Sequence, residues 1–416
     1  MEEVTIDKLV HGGQGLATMA DGRKVFVWNA LPGETVRVRL IKKKHSYAEA
    51  IAEEIVKFSP DRVEPAEPNY LATSPWQIMN FSVENKAKAN IVNELFQQAG
   101  VAIPVQTEAT HTDDEWRYRN KMEYSFWGDD EGLHLALYRR GTHGKEIVQG
   151  SELALRPLDR AAGGVLHELQ QLGVRAGDLK TVIVRCSQHE ASVASLFVKA
   201  ETFPELKLPA GLQGLRVYYS NPKSPASVPT KLLQEIGDVT LQDELLGKSF
   251  TYDVDSFFQV NLPIFEVALG MIQKHCTSAA LTDMYAGVGS IGLSIAKERV
   301  NLIDIDDAST AMARLNAAAS GLEVTVIQAS TEKALDYITG AEPIIFDPPR
   351  SGLHDKVVEK VLETKPSQIV YLSCNPATQA RDLVKLQAAY KIEYFETFNF
   401  FPKTPHIETL AILTQK

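Results

Sequence analysis

Cysteine is scarce in this sequence of 416 residues, with three in all: Cys186, Cys276 and Cys374. They are far apart and odd in number, so they build no disulfide framework, and a reducing cytoplasm is the compartment expected. Their spacing also excludes a self-contained zinc finger or iron–sulfur site. No apolar run approaches the length of a membrane span, and the Met-Glu-Glu start lacks the basic-then-apolar order of a secretory leader. A membrane association is therefore not expected. Positive charge is in deficit, 43 Lys and Arg against 53 Asp and Glu, for a formal net charge of -10. Taken alone, that balance argues mildly against a nucleic-acid partner. Hydrophobic content of 44% and charged content of 23% are those of a globular protein, and the length suggests roughly two to four domains.

What is present divides into three parts. Residues 1–58 read as short strands, Val4–Val10, Lys24–Ala30, Thr35–Ile41 and Tyr47–Val56, broken by Gly, Pro and Asp-Gly turns, which suggests a small β-barrel. Its third strand carries Arg37, Arg39, Lys42, Lys43 and Lys44 with no acid among them. Such a strip is either an RNA-contacting surface or an edge strand protected by lysines, and on a small barrel the former is the reading preferred. Residues 59–248 open with a proline-rich connection, then a helix over Ser82–Gln98 that is expected to dock on the last domain, then mixed strands and helices of an α+β domain. Arg117, Arg119, Lys121, Arg139, Arg140 and Lys145 interleave there with Trp116, Tyr118, Tyr124, Phe126, Trp127 and Tyr138. These residues either stack bases and hold phosphates, or form the core face and the solvated face of one sheet. Residues 249–416 alternate helix and strand, the pattern of an α/β doubly wound, Rossmann-like sheet that binds ligands at the carboxyl ends of its strands.

Three motifs of that last domain carry chemistry. Asp283-Met-Tyr285-Ala-Gly287-Val-Gly289-Ser290 follows the first strand and opens a helix, and Asp304 ends the second strand. Glycines there let a ligand approach the backbone, the helix N-terminus offers free N–H groups, and the acid is placed for ribose hydroxyls. The glycine spacing suits an S-adenosylmethionine site better than a nicotinamide one. Asp347-Pro-Pro-Arg350 ends the fourth strand, where prolines fix the direction of the aspartate. Cys374 ends the fifth strand just before a helix N-terminus, a position expected to lower a thiol pKa. Glu408 starts the last strand, which this fold brings beside the fifth.

Asp-x-Tyr-x-Gly-x-Gly, Asp-Pro-Pro-Arg, Ser-Cys-Asn-Pro-Ala-Thr and Phe-Pro-x-Thr-Pro-His-x-Glu, in this order, resemble the RNA uracil-C5 methyltransferases. Ser256–Asn261 resembles the motif that precedes the family's catalytic sheet. Residues 1–58 resemble the TRAM domain, an RNA-binding barrel of the branch that modifies 23S rRNA. The resemblance implies Cys374 as nucleophile and Glu408 as base. It implies S-adenosylmethionine contacts from Gln259, Asp283, Tyr285, Gly287, Gly289, Ser290, Asp304 and Asp347, with Asp347 also on the target base. Arg37, Arg39, Lys42 and Lys43 would then contact RNA.

Two departures accompany it. Many relatives hold a [4Fe–4S] cluster, but the corresponding stretches here, 63–68, 73–77 and 148–150, contain no cysteine, so no cluster is expected. Asp304 is shorter than the more usual Glu. The expected activity is methylation of a uridine at C5 in 23S rRNA, with tRNA as the alternative target, by a monomeric enzyme. Its rivals are cytosine C5 methylation, amino-nitrogen methylation and a non-catalytic RNA-binding or ribosome-assembly role.

Overall fold

A computed structural model describes residues 2–142 and 144–416. At the front is a closed barrel of β1 (Glu2–Leu9), β2 (Gly15–Thr18), β3 (Lys24–Trp28), β4 (Thr35–Lys43) and β5 (Tyr47–Lys57), ordered β1-β2-β3-β5-β4. Alternation decides its two faces. Val4, Ile6, Val25, Val27, Val36 and Val38 point inward with Ala48, Ala50 and Ala52 of β5. Three alanines on one strand leave room for the valines opposite, and so five short strands close without a void. The four-residue β2 was not expected from the sequence, because it is too short and glycine-rich to show alternation.

Next come a short helical turn, α1 (Tyr70–Thr73), and a long helix, α2 (Phe81–Ala99). Asn80 caps α2 by accepting from Ser82 N at 3.0 Å, and Gly100 ends it in the left-handed conformation at φ 73°. The stretches that the resemblance sets at the cluster cysteines are held by hydrogen bonds. Gln77 Nε2 donates to Glu67 Oε2 and to Ser74 Oγ, both at 2.7 Å, and Glu67 Oε1 accepts from Glu152 N at 2.8 Å. Glu67, Ser74 and Gln77 are all buried.

The central sheet has seven strands, β6 (Lys121–Asp129), β7 (Gly132–Tyr138), β8 (Lys145–Ile147), β9 (Leu179–Cys186), β10 (Ser192–Val198), β11 (Gly214–Tyr219) and β12 (Lys231–Gly237). Their order is β12-β11-β10-β9-β6-β7-β8, with α3 (Arg156–Gln171) packed on one face. A hairpin of β13 (Thr240–Leu245) and β14 (Lys248–Asp253) follows, and its Leu241, Leu245, Phe250 and Tyr252 pack into the core of the last domain.

That domain comprises α4 (Leu262–His275), β15 (Ala280–Asp283), α5 (Ser290–Ile295), β16 (Arg299–Asp304), α6 (Asp307–Ser320), β17 (Glu323–Gln328), β18 (Ile344–Phe346), α7 (Asp355–Thr364), β19 (Gln368–Ser373), α8 (Pro376–Leu386), β20 (Tyr390–Phe398) and β21 (Glu408–Gln415). The strands are ordered β17-β16-β15-β18-β19-β21-β20. The first five are parallel, whereas β21 inserts antiparallel between β19 and β20. This is the Rossmann-like α/β methyltransferase architecture expected from the alternating pattern. Helices α4, α5 and α6 cover one face, and α7 and α8 cover the other together with Ile91, Val92 and Phe96 of α2. Where a helix is expected over 332–338 there are two 3-10 turns, Thr331–Lys333 and Leu335–Tyr337. Thr331 Oγ1 donates to Met284 O at 2.8 Å, which ties the start of the segment to the end of β15 and leaves no straight path for an α-helix before Gly340.

Candidate active site

The carboxyl ends of β15, β16 and β18 open on a cleft of about 610 Å³ whose lining includes Tyr285, Asp304, Ile305, Thr331, Glu332 and Leu353. The glycine turn between β15 and α5 has Gly287 at φ 57° and Gly289 at φ 88°, conformations that disfavour a side chain. A Cβ on Gly292 would lie 2.7 Å from Leu302 and 3.0 Å from Asp283 Oδ2, so glycine lets α5 sit close on the sheet. Asp283 Oδ2 accepts from Gly292 N at 2.8 Å, while its Oδ1 is buried with no partner among the described residues. Burial, before any other cause, pushes this carboxyl up to about 7. Asp304 accepts from Gly287 N and Asp306 N, both at 2.8 Å, and so its shorter side chain braces the glycine turn itself. Ser290 opens α5 at the rim of the turn.

Gln259 lies buried in the loop before α4, outside the cleft lining, and that loop is fixed from the central sheet. Buried Arg185 of β9 donates to three carbonyls, those of Asp253 at 3.3 Å and of Ser256 and Phe258 at 2.6 Å. Asn120 Nδ2 donates to Gln259 O at 2.9 Å. Sequence reasoning missed Arg185 and Asn120, because their partners lie in another domain and only tertiary structure brings them together.

The second half of the site lies at β19 and β21. Their register pairs Ser373 with Thr409 and Leu372 with Leu410. Continued by one residue, it sets Cys374 opposite Glu408. Glu408 is buried and Cys374 partly so. Asp347, at the end of β18, makes no side-chain hydrogen bond among the described residues and feels the charge of Asp283. Asn375 caps α8 through Ala377 N and also donates to Arg350 O at 2.8 Å, joining the Cys374 turn to the Asp-Pro-Pro-Arg loop.

The expected lowering of the Cys374 pKa is corrected by these surroundings. Burial is the largest influence and the charges of Glu408 and Asp347 follow, so the thiol is pushed up to about 12, with Arg350 opposing. Burial raises Asp347 to about 7 and lifts Glu408 well above the carboxylate range. Three acidic groups crowd one poorly hydrated space, and the helix N-terminus does not outweigh them.

The loop that delivers Glu408 is anchored to α2. Glu84 Oε1 accepts from Lys403 N at 3.0 Å and from Asn399 Nδ2 at 2.9 Å. Lys88 Nζ lies 3.1 Å from Glu84 and donates to Asn399 Oδ1 at 2.6 Å and Phe401 O at 3.0 Å. Both charges of this pair are fully buried.

The basic strip of the barrel is not unopposed charge. Arg37 lies 2.7 Å from Glu54 and 3.7 Å from Glu3, Arg39 pairs with Glu53, and Lys42 lies 3.3 Å from Glu49. The pairing of β4 with β5 sets Glu54 across from Arg37 and Glu49 across from Lys42, and that of β4 with β1 sets Glu3 across from Arg37, registers that the strand's own sequence does not reveal. Lys43 has no ion pair among the described residues. In the central domain Tyr124 and Phe126 belong to the core, Arg117 bridges Glu152 and Asp159, and Trp127 and Tyr138 remain exposed.

Comparison with known proteins bears on the domains and the fold. Residues 230–416 match the family model described as tRNA (Uracil-5-)-methyltransferase, and residues 1–52 match the TRAM domain. The chain is 28% identical to an RNA methyltransferase of Nitratidesulfovibrio vulgaris, covering 100% of this chain and 96% of that one. It is 29% identical to an RNA methyltransferase of Enterococcus faecalis, covering 99% and 97%. Among solved structures, the Pyrococcus abyssi tRNA (uracil-54, C5)-methyltransferase in complex with S-adenosyl-L-homocysteine superposes with a TM-score of 0.79 at 22% identity, covering 99% of this chain and 100% of that one. That likeness establishes the fold from barrel to final strand. With a TRAM domain match over residues 1–52, a match of residues 230–416 to the tRNA (Uracil-5-)-methyltransferase model and RNA methyltransferase relatives along its whole length, the chain is an RNA methyltransferase.

Proposed function

We propose that the protein methylates C5 of a uridine in RNA, with Cys374 as nucleophile and Glu408 as base. The observation that carries this reading is the antiparallel register that sets the thiol and the carboxyl across from each other, beside Asp347 and next to the cleft. C5 of uracil is too weak a nucleophile to be methylated directly. Addition of the Cys374 thiolate to C6 forms an S–C6 bond and moves the ring electrons onto C5 and O4. When bound, S-adenosylmethionine supplies the electrophilic methyl group that C5 accepts. Glu408 as carboxylate then takes the C5 proton, the S–C6 bond breaks, and the C5=C6 double bond returns with the thiolate as leaving group.

The residues present suit that cofactor. Asp283 has an unpartnered buried oxygen, Asp304 braces a glycine turn open to a ligand, and the acids around Cys374 suit a sulfonium cation. Gln259, Tyr285, Gly287, Gly289, Ser290 and Asp347 complete the group that would hold it. A positive charge brought among three acidic groups lowers all three pKa values, which favours the thiolate at the moment of use. In this reading Asp347, at about 7, takes the proton that the Cys374 thiol gives up, and Glu408 takes the one from C5.

The TRAM domain favours 23S rRNA as target. The full-length superposition with an enzyme named for uracil-54 of tRNA keeps tRNA as a second reading. Incubating the protein and S-adenosylmethionine with unmodified 23S rRNA and tRNA, followed by mass spectrometry of the digest, decides between them. We expect 5-methyluridine on one RNA; none on either, or 5-methylcytidine, overturns the proposal. Cys374→Ala should abolish turnover, and Glu408→Gln should accumulate a protein–RNA adduct on a denaturing gel.

A further inference from the structure

Where the barrel, the central sheet and the catalytic sheet meet, three arginines converge that the chemistry above does not use. Arg119 precedes β6, and its guanidinium lies 5.9 Å from the Tyr118 ring centre and 5.8 Å from that of Phe401. Arg140 follows β7, lies 4.2 Å over Trp28 of the barrel, and donates through Nε to Leu71 O at 2.8 Å. Arg350 closes the Asp-Pro-Pro-Arg loop with Nη2 3.2 Å from His406 Nδ1. Their sequence neighbours have acidic partners, Arg117 with Glu152 and Asp159, and Arg139 with Glu146. Among the described residues, no carboxylate pairs with Arg119, Arg140 or Arg350.

His406 marks the point of convergence. Its ring packs edge-on against Phe401, the same ring that carries Arg119. Burial first, then the charges of Arg350, Arg119, Lys88 and Arg140, push the imidazole down to about 3. The barrel closes the junction from the other side. A Cβ on Gly13 would lie 2.2 Å from Pro405, so the 11–13 turn presses on the residue before His406. His11 in that turn feels the charge of Arg350.

Like charges gathered with no ion pair of their own weaken a fold, and only Arg350 has a carboxyl, that of Glu408, within reach of its charge, so folding alone does not explain the cluster. Cation–π contacts with aromatic rings hold two of these guanidinium groups while N–H donors remain without a partner among the described residues, which suits the tetrahedral oxygens of a phosphodiester. The position, at the mouth beside Cys374 and between two RNA-associated domains, selects the backbone of the bound RNA as the source of that anion.

We propose that Arg119, Arg140 and Arg350 form a phosphate-binding junction that grips the RNA backbone beside the nucleotide presented to Cys374. This rests on the reading of the protein as an RNA methyltransferase. The plainer role, in which the arginines only join the domains, predicts a different outcome.

The test is RNA binding by the full-length protein with S-adenosylhomocysteine present, using unmodified 23S rRNA fragments and tRNA transcripts over a range of salt. Arg119→Gln and Arg140→Gln should each weaken binding about tenfold at low salt. Each should also reduce the slope of log K against log [salt] by about 0.7, the signature of one lost phosphate contact to a single strand. Arg140→Lys, which keeps the charge but not the planar stack on Trp28, should retain the slope. S-adenosylhomocysteine affinity should stay at its wild-type value in all three, which shows that the fold is intact. An unchanged slope in both Gln variants, or equal losses of RNA and S-adenosylhomocysteine affinity, overturns the proposal. Because the readout needs no turnover, a protein that binds RNA through these arginines but methylates no uridine fails the functional reading and leaves this one standing.

Discussion

Asp347→Asn should strengthen the fold of the free protein while removing its activity. The carboxyl is held at about 7, against an ordinary 3.8, by burial and by the charge of Asp283. A raised acid pKa means that the folded state holds its proton more tightly than the unfolded chain does. As pH rises from about 4 to about 7, the unfolded chain ionises first, and stability falls through that window and levels above it. At about 1.4 kcal/mol for each tenfold difference in proton affinity, the cost reaches roughly 4 kcal/mol at pH 8. Asp347 is partly exposed, which screens the effect, and so a gain of about 2 kcal/mol is the expectation for the neutral amide. Urea unfolding of wild type and variant at pH 4.5 and pH 8 measures it. The variant's advantage should be small at the lower pH and grow towards the higher one, while methylation falls at least about a hundredfold. A variant less stable than wild type at pH 8, or an advantage independent of pH, refutes the reasoning.

Other consequences are as open to measurement. In the free protein, alkylation of Cys374 by iodoacetamide should rise about tenfold per pH unit from pH 7 to 10, because the thiol is pushed up to about 12; a plateau near pH 9 refutes this. Arg185→Lys keeps the charge but loses the two-nitrogen spread that reaches Asp253 and Ser256 from Nη1 and Phe258 from Nη2, so S-adenosylhomocysteine should bind about tenfold more weakly, and unchanged affinity removes the positioning role. Lys88→Met leaves Glu84 buried without its partner and should cost about 3–5 kcal/mol, most of it recovered by adding Glu84→Gln. If the two substitutions are additive in chemical denaturation, the pair is not coupled.

The catalytic sheet was legible because four of its parallel strands, β15, β16, β18 and β19, are short apolar runs with a helix before the next strand, and Asp283, Asp347 and Cys374 fall at strand ends by that pattern alone. Glu408 was legible through the strand that begins with it, although its partner across the sheet is a matter of register. Properties that arise between elements were not legible. The charge on Arg37, Arg39 and Lys42 reads as a free strip until β5 sets Glu54, Glu53 and Glu49 beside it. Proximity to a helix N-terminus argued for a low thiol pKa, whereas the opposing carboxyls come from β18 and β21, remote in sequence. The hairpin β13–β14 joins the catalytic core before the change of pattern at residue 249, since a two-stranded ribbon carries no βα signal.

The insertion of β21 between β19 and β20 also sets the order in which this molecule becomes competent during synthesis. The support of its base runs between Glu84 and Lys403, 319 residues apart. Until residues 399–415 have left the ribosome, α2 has no loop to anchor, β19 and β20 lack the strand that separates them, and the thiol of Cys374 lacks Glu408 across from it. Contacts that distant are slow to form. A chain released before that point would carry the TRAM strands without the paired thiol and carboxyl that the proposed methylation needs.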